Sequence, residues 1–335
     1  MSTARELHCY LCGGDDFHLR FQGRDELMGF PGRFQMLQCG YCGLVFLHPR
    51  PEPEDLERFY PENYPPFRPG YSAPSRAERI RRRREIRSLR KSFGYPGGSV
   101  MGLRFPGWIG RKRVLPVRWV PRGVILDVGC ATGDRLALWH NLGWEVWGVE
   151  PNPYAAQVAA TTFAERIRAT MLEDAGFQEH QFDAVTMEHV LEHVPSPRKT
   201  ISEVHRVLKP GGQLVVRVPN GAGWETAVFR GKSAAADIPR HLWVFDSQTL
   251  TRLLEEYGFG IESMVTFSNL YTLTHGLDAV LKLTPLYPLP ELNQPRWVAV
   301  LRRVVHLGCR GLIPLQRIAD RMGRGSELTV SAFKK

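Results

Sequence analysis

The stretch Val124-Ile-Leu-Asp-Val-Gly-Cys-Ala-Thr-Gly133 decides the fold of this chain. Its first five residues form a short apolar run typical of a buried strand, and its glycines predict a tight turn. Residues 135–141 then predict the start of a helix, and Val146-Trp-Gly-Val-Glu150 predicts a second strand that ends in a carboxylate. In such a unit the carboxylate lies beside the glycine turn and can accept hydrogen bonds from both hydroxyls of a ribose. The sequence therefore predicts a site for a nucleoside-like cofactor.

The spacing of the glycines limits which cofactor this is. A dinucleotide site needs G-x-G-x-x-G, which here would place glycines at 129, 131 and 134. The chain has Ala131 and Asp134 at the last two positions. An acid near a helix start would repel a pyrophosphate, and no G-K-[ST] of a P-loop is present. The remaining interpretations are a cofactor without phosphate, or an α/β core that binds no nucleotide.

The pattern Asp127-x-Gly129-x-x-x-Gly133 resembles motif I of the class I S-adenosylmethionine-dependent methyltransferases, whose cofactor carries an amino-acid tail, a sulfonium and no phosphate. By this resemblance Gly129 and Gly133 let the backbone approach the methionine moiety, and Glu150 holds the ribose. Family members receive the adenine amino group on an acid at the position of Met171, so Glu173 or Asp174 is expected to replace it. The cofactor residues implied are Asp127, Gly129, Cys130, Ala131, Gly133, Glu150, Pro151, Glu173, Asp174 and Glu188.

Strand and helix patterns alternate after Gly133, as a doubly wound sheet requires. Three further motifs, His189-Val-Leu-Glu-His193, Arg206-Val-Leu-Lys-Pro-Gly-Gly212 and Pro239-Arg-His241, resemble a bacterial group akin to ubiquinone-type O-methyltransferases and to sugar and polyketide methyltransferases. The resemblance covers about residues 121–335. It implies an α/β fold, a Rossmann-like doubly wound seven-stranded sheet, with an insertion at 219–245 and an amphipathic helical insertion at 268–325.

Two C-x-x-C pairs, Cys9/Cys12 and Cys39/Cys42, predict a second, small domain over residues 1–50. Four thiolates form a closed tetrahedral site for a structural Zn²⁺, which would fold a segment with few core residues of its own. Disulfides are the alternative. No secretory signal precedes Cys9, which favours thiolates in a reducing cytosol and a cytoplasmic protein. A similar N-terminal zinc ribbon precedes some sugar methyltransferases.

The motif from His189 to His193 also matches the H-x-x-E-H pattern of inverted zinc peptidases. That pattern needs one continuous helix, whereas here it follows a strand and runs into Val194-Pro-Ser-Pro197, which excludes the helix. The resemblance to ubiquinone-type methyltransferases offers another interpretation, a site for a divalent metal ion. In that group the ligands are an acid at the position of His189 and the Glu-His pair that corresponds to Glu192 and His193, so this chain departs from the pattern at His189. We expect instead that Glu192 and His193 order the loop through hydrogen bonds.

Methyl transfer to a neutral hydroxyl or a carbon acid needs a base, and histidine is suited to that role near neutral pH. The histidine of the Pro239-Arg-His241 stretch acts as an acid–base group in some related sugar methyltransferases. The resemblance thus implies His241 as the first catalytic candidate, and His189 is the second. The alternative for His241 is a ring that only fixes its loop.

Two basic regions bear on partners. Residues 51–120 form a Pro- and Arg-rich linker, within which Ser75-Arg-Ala-Glu78 predicts a capped helix. Residues 271–322 are apolar and interrupted by prolines, with arginines interleaved. Their interpretations are a lid over the pocket, a dimer contact, or an interfacial hairpin on an anionic membrane. The arginine-rich positions singled out are Arg76, Arg79, Arg81 to Arg84, Arg87, Arg90, Arg296, Arg302, Arg303 and Arg310.

The 335 residues, 43% apolar, fit a soluble globular protein with one large domain and one small one. We predict a methyltransferase that acts on a sugar, a glycan or lipid-linked precursor, or a related metabolite. The net charge of +10 and the zinc ribbon leave an RNA base methyltransferase as an alternative. The absence of a D/N-P-P-Y motif makes nucleic acid the less favoured partner. A non-catalytic scaffold that binds the cofactor is the third hypothesis. The sequence does not determine the oligomeric state.

Overall fold

The structure is a computed structural model that describes residues 7–62, 64, 67, 76–96, 115–281 and 296–335. The strands are β1 (Phe17–Gly23), β2 (Phe34–Cys39), β3 (Val45–His48), β4 (Val124–Val128), β5 (Glu145–Val149), β6 (Ile167–Arg168), β7 (Phe182–Glu188), β8 (Leu208–Pro219), β9 (Trp243–Val244), β10 (Phe259–Phe267) and β11 (Glu327–Lys334). The helices are α1 (Pro53–Leu56), α2 (Arg76–Ser92), α3 (Asp134–Asn141), α4 (Pro153–Phe163), α5 (Pro197–Val207), α6 (Trp224–Phe229), α7 (Ser247–Glu256), α8 (Leu270–Val280), α9 (Arg296–Cys309) and α10 (Ile313–Arg321).

The larger sheet has seven strands in the order β10-β11-β8-β7-β4-β5-β6. The strands β6, β5, β4, β7 and β8 pair in parallel, whereas β11 pairs antiparallel with both β8 and β10. The chain proceeds outward from β4 first through β5 and β6, and then through β7 and β8 on the other side. This topology confirms the doubly wound seven-stranded sheet. It puts the switch point, where ligands bind in such sheets, at the carboxyl ends of β4 and β7.

The central strands carry the core because helices cover both faces of the sheet. Ile125, Val185 and Val216 on β4, β7 and β8 are fully buried, as expected for parallel strands that are covered on both sides. The α5 helix buries Ile201 and Val204 in the same core.

The cysteine-bearing segment builds a second sheet in the order β1-β2-β3-β9. Its last strand comes from the insertion at 219–245: Val45 pairs with Val244, and Phe46 pairs with Trp243. Trp243 is buried, and its ring centroid lies 4.6 Å from that of Tyr10. The N-terminal segment therefore shares its sheet and its core with the larger domain.

Helices α8, α9 and α10 connect β10 to β11. Within the described ranges, none of the helices has the length and apolar character needed to cross a bilayer. Large apolar side chains on α9 and α10 are nevertheless exposed to solvent. The predicted cap at Ser75, residues 282–295, and the side chains of Arg76, Arg79, Arg81, Arg296, Trp297 and Arg302 lie outside the described residues.

Candidate functional site

A cavity of about 1030 Å³ opens at the carboxyl edge of the seven-stranded sheet. Its walls come from the loops after β4, β5, β6 and β7, from the insertion at 219–245, from α8, and from the linker around Tyr60 and Phe67. The predicted cofactor turn and the predicted catalytic histidines thus face one space.

The turn after β4 requires its glycines. Gly129 has φ +69°, and a Cβ there would lie only 2.5 Å from Val190 Cγ2. Ala131 adopts φ +46° without being glycine, and its N–H donates to Glu150 Oε2 at 2.9 Å. Gly133 has φ +87° and precedes the first residue of α3. The backbone of the turn therefore lines the cavity at Gly129. The hydrogen bond from Ala131 connects the turn to Glu150 at the end of β5.

Glu150 is buried at the end of β5, and both of its carboxylate oxygens are oriented by backbone. Oε1 accepts from the N–H of Asn152 and Oε2 from that of Ala131, each at 2.9 Å. Burial raises the pKa of Glu150, and the two backbone hydrogen bonds partly oppose that shift. Each oxygen has a further lone pair, so the carboxylate can accept two hydroxyl donors from the cavity.

The structure separates the two candidates for the adenine contact. Glu173 lines the cavity; its Oε1 accepts from Thr200 Oγ1 at 2.5 Å. Its Oε2 is buried and has no hydrogen-bond partner within the described residues. Asp174 is exposed and is not part of the wall. A buried acceptor without a donor suits an amino group, which favours Glu173 over Asp174 for the predicted adenine contact.

The carboxyl groups of two other predicted cofactor residues, Asp127 and Glu188, already form hydrogen bonds with other side chains. Asp127 is buried behind the turn and accepts from Thr186 Oγ1 at 2.6 Å. Burial raises the pKa of Asp127 to about 7. Glu188 lies in the wall, but its oxygens accept from Arg135 and Arg217. Burial opposes ionisation, yet the two guanidinium groups lower the pKa of Glu188 to about 2.

Of the other predicted cofactor positions, Pro151 lines the cavity beside Glu150. The lining residues do not include Asp127, Cys130 or Gly133. Cys130 is buried, and a Cβ on Gly148 would lie 2.7 Å from its Sγ. These three residues shape the turn from behind.

His189 faces the cavity with 40% of its side chain exposed. Its Nδ1 lies 3.1 Å from Glu192 Oε1, and its Nε2 lies 3.0 Å from Glu327 Oε2. Burial lowers the pKa of His189, but the charges of Glu327 and Glu192 outweigh this and raise it well above its ordinary value. The two carboxylates thus favour the protonated ring, and a protonated ring cannot take a proton from an acceptor.

His241 also lines the cavity, and its side chain is buried. Its Nδ1 lies 2.9 Å from the carbonyl oxygen of Ala235 and can only donate to it. In the neutral ring, Nε2 therefore carries the lone pair. The nearest carboxylate oxygens, on Glu192 and Asp237, lie 4.0 and 3.9 Å from Nε2. This geometry suits a base whose protonated form is stabilised by nearby carboxylates.

A neighbouring ring, His193, packs edge-to-face on His241 with centroids 4.6 Å apart. Its Nδ1 lies 2.9 Å from the Tyr60 hydroxyl and 3.1 Å from the carbonyl oxygen of Arg240. Burial and the neighbouring His241 lower the pKa of His193 to about 4. No helix forms around His189 to His193, as the prolines predict, which removes the peptidase interpretation.

One ligand atom each from Glu192, His193 and His241 falls within 4.8 Å of the others, a spacing that could hold a metal ion. His189 does not belong to this group. Its imidazolium at 3.1 Å from Glu192 opposes a second cation there. The same contact orders the loop after β7, which agrees with the expected hydrogen-bonding role of Glu192.

The wall that carries His241 depends on residues that the sequence analysis did not single out. Arg240 is 0% exposed and forms a bidentate pair with Asp25, at 2.7 and 3.0 Å, and another with Asp237. Asp25 belongs to the loop between β1 and β2, and it also accepts from the N–H of Leu27. The N-terminal sheet thus fixes the residue next to the candidate base.

The four predicted metal-ligating cysteines converge. Sγ atoms of Cys9 and Cys42, and of Cys12 and Cys39, lie 3.5 Å apart, and all four lie within 4.8 Å of one another. All four are free thiols. Tetrahedral Zn²⁺ with bonds of about 2.3 Å separates its sulfurs by about 3.8 Å. The donor set therefore fits a closed zinc site and leaves no disulfide.

Comparison with known proteins identifies the same region. A family model described as "Methyltransferase domain" matches residues 82–264. The ubiquinone biosynthesis O-methyltransferase of Klebsiella pneumoniae is 31% identical over 124 residues, which is 35% of this chain and 51% of that relative. The Xanthomonas oryzae enzyme of the same name is 36% identical over 124 residues, covering 35% and 52%. The chain spans about half the length of the curated relatives it matches.

Among solved structures, a SAM-dependent methyltransferase from Archaeoglobus fulgidus is similar at 19% identity, with 63% of this chain and 86% of that chain covered and a TM-score of 0.43. An S-adenosylmethionine-dependent methyltransferase from Mesorhizobium loti is 18% identical, with 64% and 92% covered and a TM-score of 0.42.

Proposed function

Because the chain belongs to the class I S-adenosylmethionine-dependent methyltransferases, we propose that it transfers a methyl group to a small-molecule acceptor, namely a sugar or a glycan or lipid-linked precursor. The observation that supports this most is the single cavity that joins the glycine turn and Glu150 to His241. Residues suited to hold the cofactor and a residue suited to activate an acceptor thus line the same cavity.

The cofactor residues follow from their free hydrogen-bonding capacity. Glu150 receives the two ribose hydroxyls, the unpartnered Oε2 of Glu173 receives the adenine amino group, and the backbone at Gly129 makes room for the amino-acid tail. When bound, S-adenosylmethionine supplies an electrophilic methyl group on a good leaving group. The protein then needs to hold the acceptor close to that methyl group and exclude water.

His241 supplies the base where the acceptor is a neutral hydroxyl or a carbon acid. The carbonyl of Ala235 fixes its tautomer, so that Nε2 can take the proton. Glu192 and Asp237 then stabilise the imidazolium that results. His189, which is held as a cation between two carboxylates, instead contributes to the electrostatics and the shape of the wall.

We further propose that Cys9, Cys12, Cys39 and Cys42 hold a structural Zn²⁺. Four thiolates complete its coordination, so the ion has no open position for a substrate. Its effect on the reaction is indirect, because the sheet that it stabilises pairs with β9 and carries Asp25.

Peripheral contact with an anionic membrane is the partner we propose for α9 and α10. Val300, Val304 and Leu307 are exposed at helical spacing on α9, and Leu315 and Ile318 are exposed on α10. Exposed arginines accompany them, at Arg303, Arg310, Arg317 and Arg324. Apolar side chains flanked by cations suit an interface with anionic headgroups. A lipid-linked acceptor would be found at the same surface.

The cofactor site is tested by calorimetry with S-adenosylhomocysteine on the wild type and on Glu150→Ala. We expect the variant to lose at least tenfold in affinity, because two buried ribose hydroxyls lose their acceptor. The matched control is Asp174→Ala, an exposed acid on the same side of the sheet, which should bind like the wild type. Equal affinity of Glu150→Ala and the wild type would contradict the assigned site.

The acceptor is sought with labelled S-adenosylmethionine and a cell extract separated into lipid, polysaccharide, RNA and small-molecule pools. We expect label in the polysaccharide, lipid or small-molecule pool. Label confined to RNA would support an RNA base methyltransferase instead. Cofactor binding without label in any pool would indicate a scaffold.

A further inference from the structure

The half of the cavity remote from the cofactor residues contains buried polar side chains with no role so far. Glu225 on α6, Ser233 after it, and His275 on α8 are 2%, 3% and 4% exposed. All three line the cavity. Each has a buried atom without a hydrogen-bond partner in the described parts of the chain, namely Glu225 Oε2, Ser233 Oγ and His275 Nδ1.

Such atoms cost free energy unless something binds them, so three in one wall point to a ligand. The carboxyl of Glu225 is held in place, because its Oε1 accepts from Gln316 Nε2 at 3.1 Å. Burial raises the pKa of Glu225 to about 7. The group is thus oriented on one oxygen and left with the other unbonded.

The position of these residues separates them from the cofactor. Glu150 follows β5, whereas Glu225 follows β8, three strands away in the sheet. At about 4.8 Å per strand, the carboxyl ends of β5 and β8 are about 14 Å apart. His189 follows β7, which lies between β5 and β8 in the sheet. The remote end is therefore where an acceptor would extend.

The charge of the wall limits what can bind there. No lysine or arginine lines the cavity among the residues that the structure describes. The one cation, the imidazolium of His189, is already balanced by Glu192 and Glu327. The lining carboxyl groups are Glu57, Glu150, Glu173, Glu188, Glu225, Asp237 and Glu327. Glu188 and Asp237 are paired with arginines behind the wall, but a phosphate or carboxylate would still face the other carboxyl groups without a lysine or arginine in the cavity lining.

We propose that Glu225, Ser233 and His275 form an acceptor subsite that hydrogen-bonds hydroxyl groups or a protonated amine and rejects anionic groups. The inference rests on the proposed function and deepens it, because it names the substrate class as neutral or amino-bearing polyols. Any anionic part of the acceptor then lies outside this end of the cavity.

The test uses three matched probes that differ in one group: methyl α-D-glucopyranoside, its 2-amino-2-deoxy analogue, and methyl α-D-glucuronide. Binding is measured by saturation-transfer NMR on the full chain with saturating S-adenosylhomocysteine. We expect the neutral and amino glycosides to bind and the uronide not to bind. In Glu225→Gln, which keeps the shape and the contact with Gln316, the amino glycoside should weaken at least fivefold and more than the neutral one.

Calorimetry on the same samples separates this inference from the proposed function. Glu225→Gln should bind S-adenosylhomocysteine like the wild type, and Asp174→Asn should leave both ligands unchanged. Binding of the uronide as tightly as the neutral glycoside, unchanged amino-glycoside affinity in Glu225→Gln, or no glycoside binding by a protein that binds S-adenosylhomocysteine would each overturn the subsite alone. A wild type that binds no S-adenosylhomocysteine would remove the proposed function and the subsite with it.

Discussion

At the scale of single residues, the two candidate histidines differ in the partners of their ring nitrogens. His189 lies between two carboxylates, which hold a proton on the ring. His241 donates from Nδ1 to a carbonyl and keeps Nε2 for the cavity. Both histidines are candidates from their motifs, and only their three-dimensional neighbours distinguish a base from a ring held as a cation.

We expect His241→Ala to lower kcat by at least a hundredfold, the size typical of a lost general base, while S-adenosylhomocysteine binds as in the wild type. The measurement is methyl transfer to whichever extract pool is labelled, beside calorimetry. The control is His140→Ala, an exposed histidine on α3 outside the cavity wall. Retention of normal turnover by a folded His241→Ala protein would show that the ring serves only to fix its loop.

At the scale of secondary-structure elements, the N-terminal sheet forms part of the active-site wall. Asp25 reaches Arg240 from 215 positions away in sequence, and the carbonyl of Leu242 accepts from the N–H of Leu47 at 2.9 Å. The cysteine-bearing segment also contacts the loop after β7, since the Tyr10 hydroxyl lies 2.6 Å from Ser196 Oγ. Ser196 precedes α5, but its side chain makes no capping hydrogen bond to that helix.

The ion pair between Asp25 and Arg240 is tested by Asp25→Asn, which keeps the size of the side chain and removes its charge. A buried guanidinium then loses one of its two carboxylates, so we expect about 3 kcal/mol less stability. We also expect turnover to fall at least tenfold, because Arg240 adjoins His241, with cofactor affinity unchanged. Thermal melting, labelled-methyl assays and calorimetry measure the three effects.

Glu26→Gln is the matched control, because Glu26 lies in the same loop and pairs with the exposed Arg24. It should resemble the wild type in all three measurements. If Asp25→Asn also leaves stability and turnover unaltered, the N-terminal sheet does not support the catalytic wall.

The parts of the site that could be predicted are those whose residues lie close together in the sequence. The turn at Gly129 and the acid at Glu150 belong to one short strand–turn–helix–strand unit, and the cysteine pairs carry their own spacing. Asp25, Tyr60 and Glu225 could not be found in this way, because their significance comes from contacts between distant segments. The adenine contact could be predicted only in part. The sequence indicates both Glu173 and Asp174, and only burial distinguishes them.

At the scale of the whole molecule, the exposed apolar side chains of α9 and α10 predict binding to membranes. We expect the protein to co-sediment with vesicles of phosphatidylglycerol and phosphatidylcholine, and not with phosphatidylcholine alone, in a manner weakened by salt. The double variant Val304→Glu/Leu315→Glu should bind at least tenfold more weakly, since each charge would enter the apolar interface.

Leu19→Glu controls for charge alone, because Leu19 is an exposed apolar residue on the N-terminal sheet. It should sediment with the vesicles like the wild type. Failure of the wild type to bind anionic vesicles, together with a dimer in light scattering that the double variant abolishes, would assign this face to a second copy of the chain.

The pairing of β3 with β9 also sets an order of events during synthesis. Val45 leaves the ribosome about 200 residues before its partner Val244. At 5–20 residues per second, the edge of β3 stays open for about 10 to 40 seconds. An unpaired edge invites pairing with other nascent chains. Zinc bound early by the four cysteines would hold β1, β2 and β3 folded until β9 is made. We therefore expect zinc-starved cells to accumulate the protein in inclusion bodies rather than as an inactive soluble form.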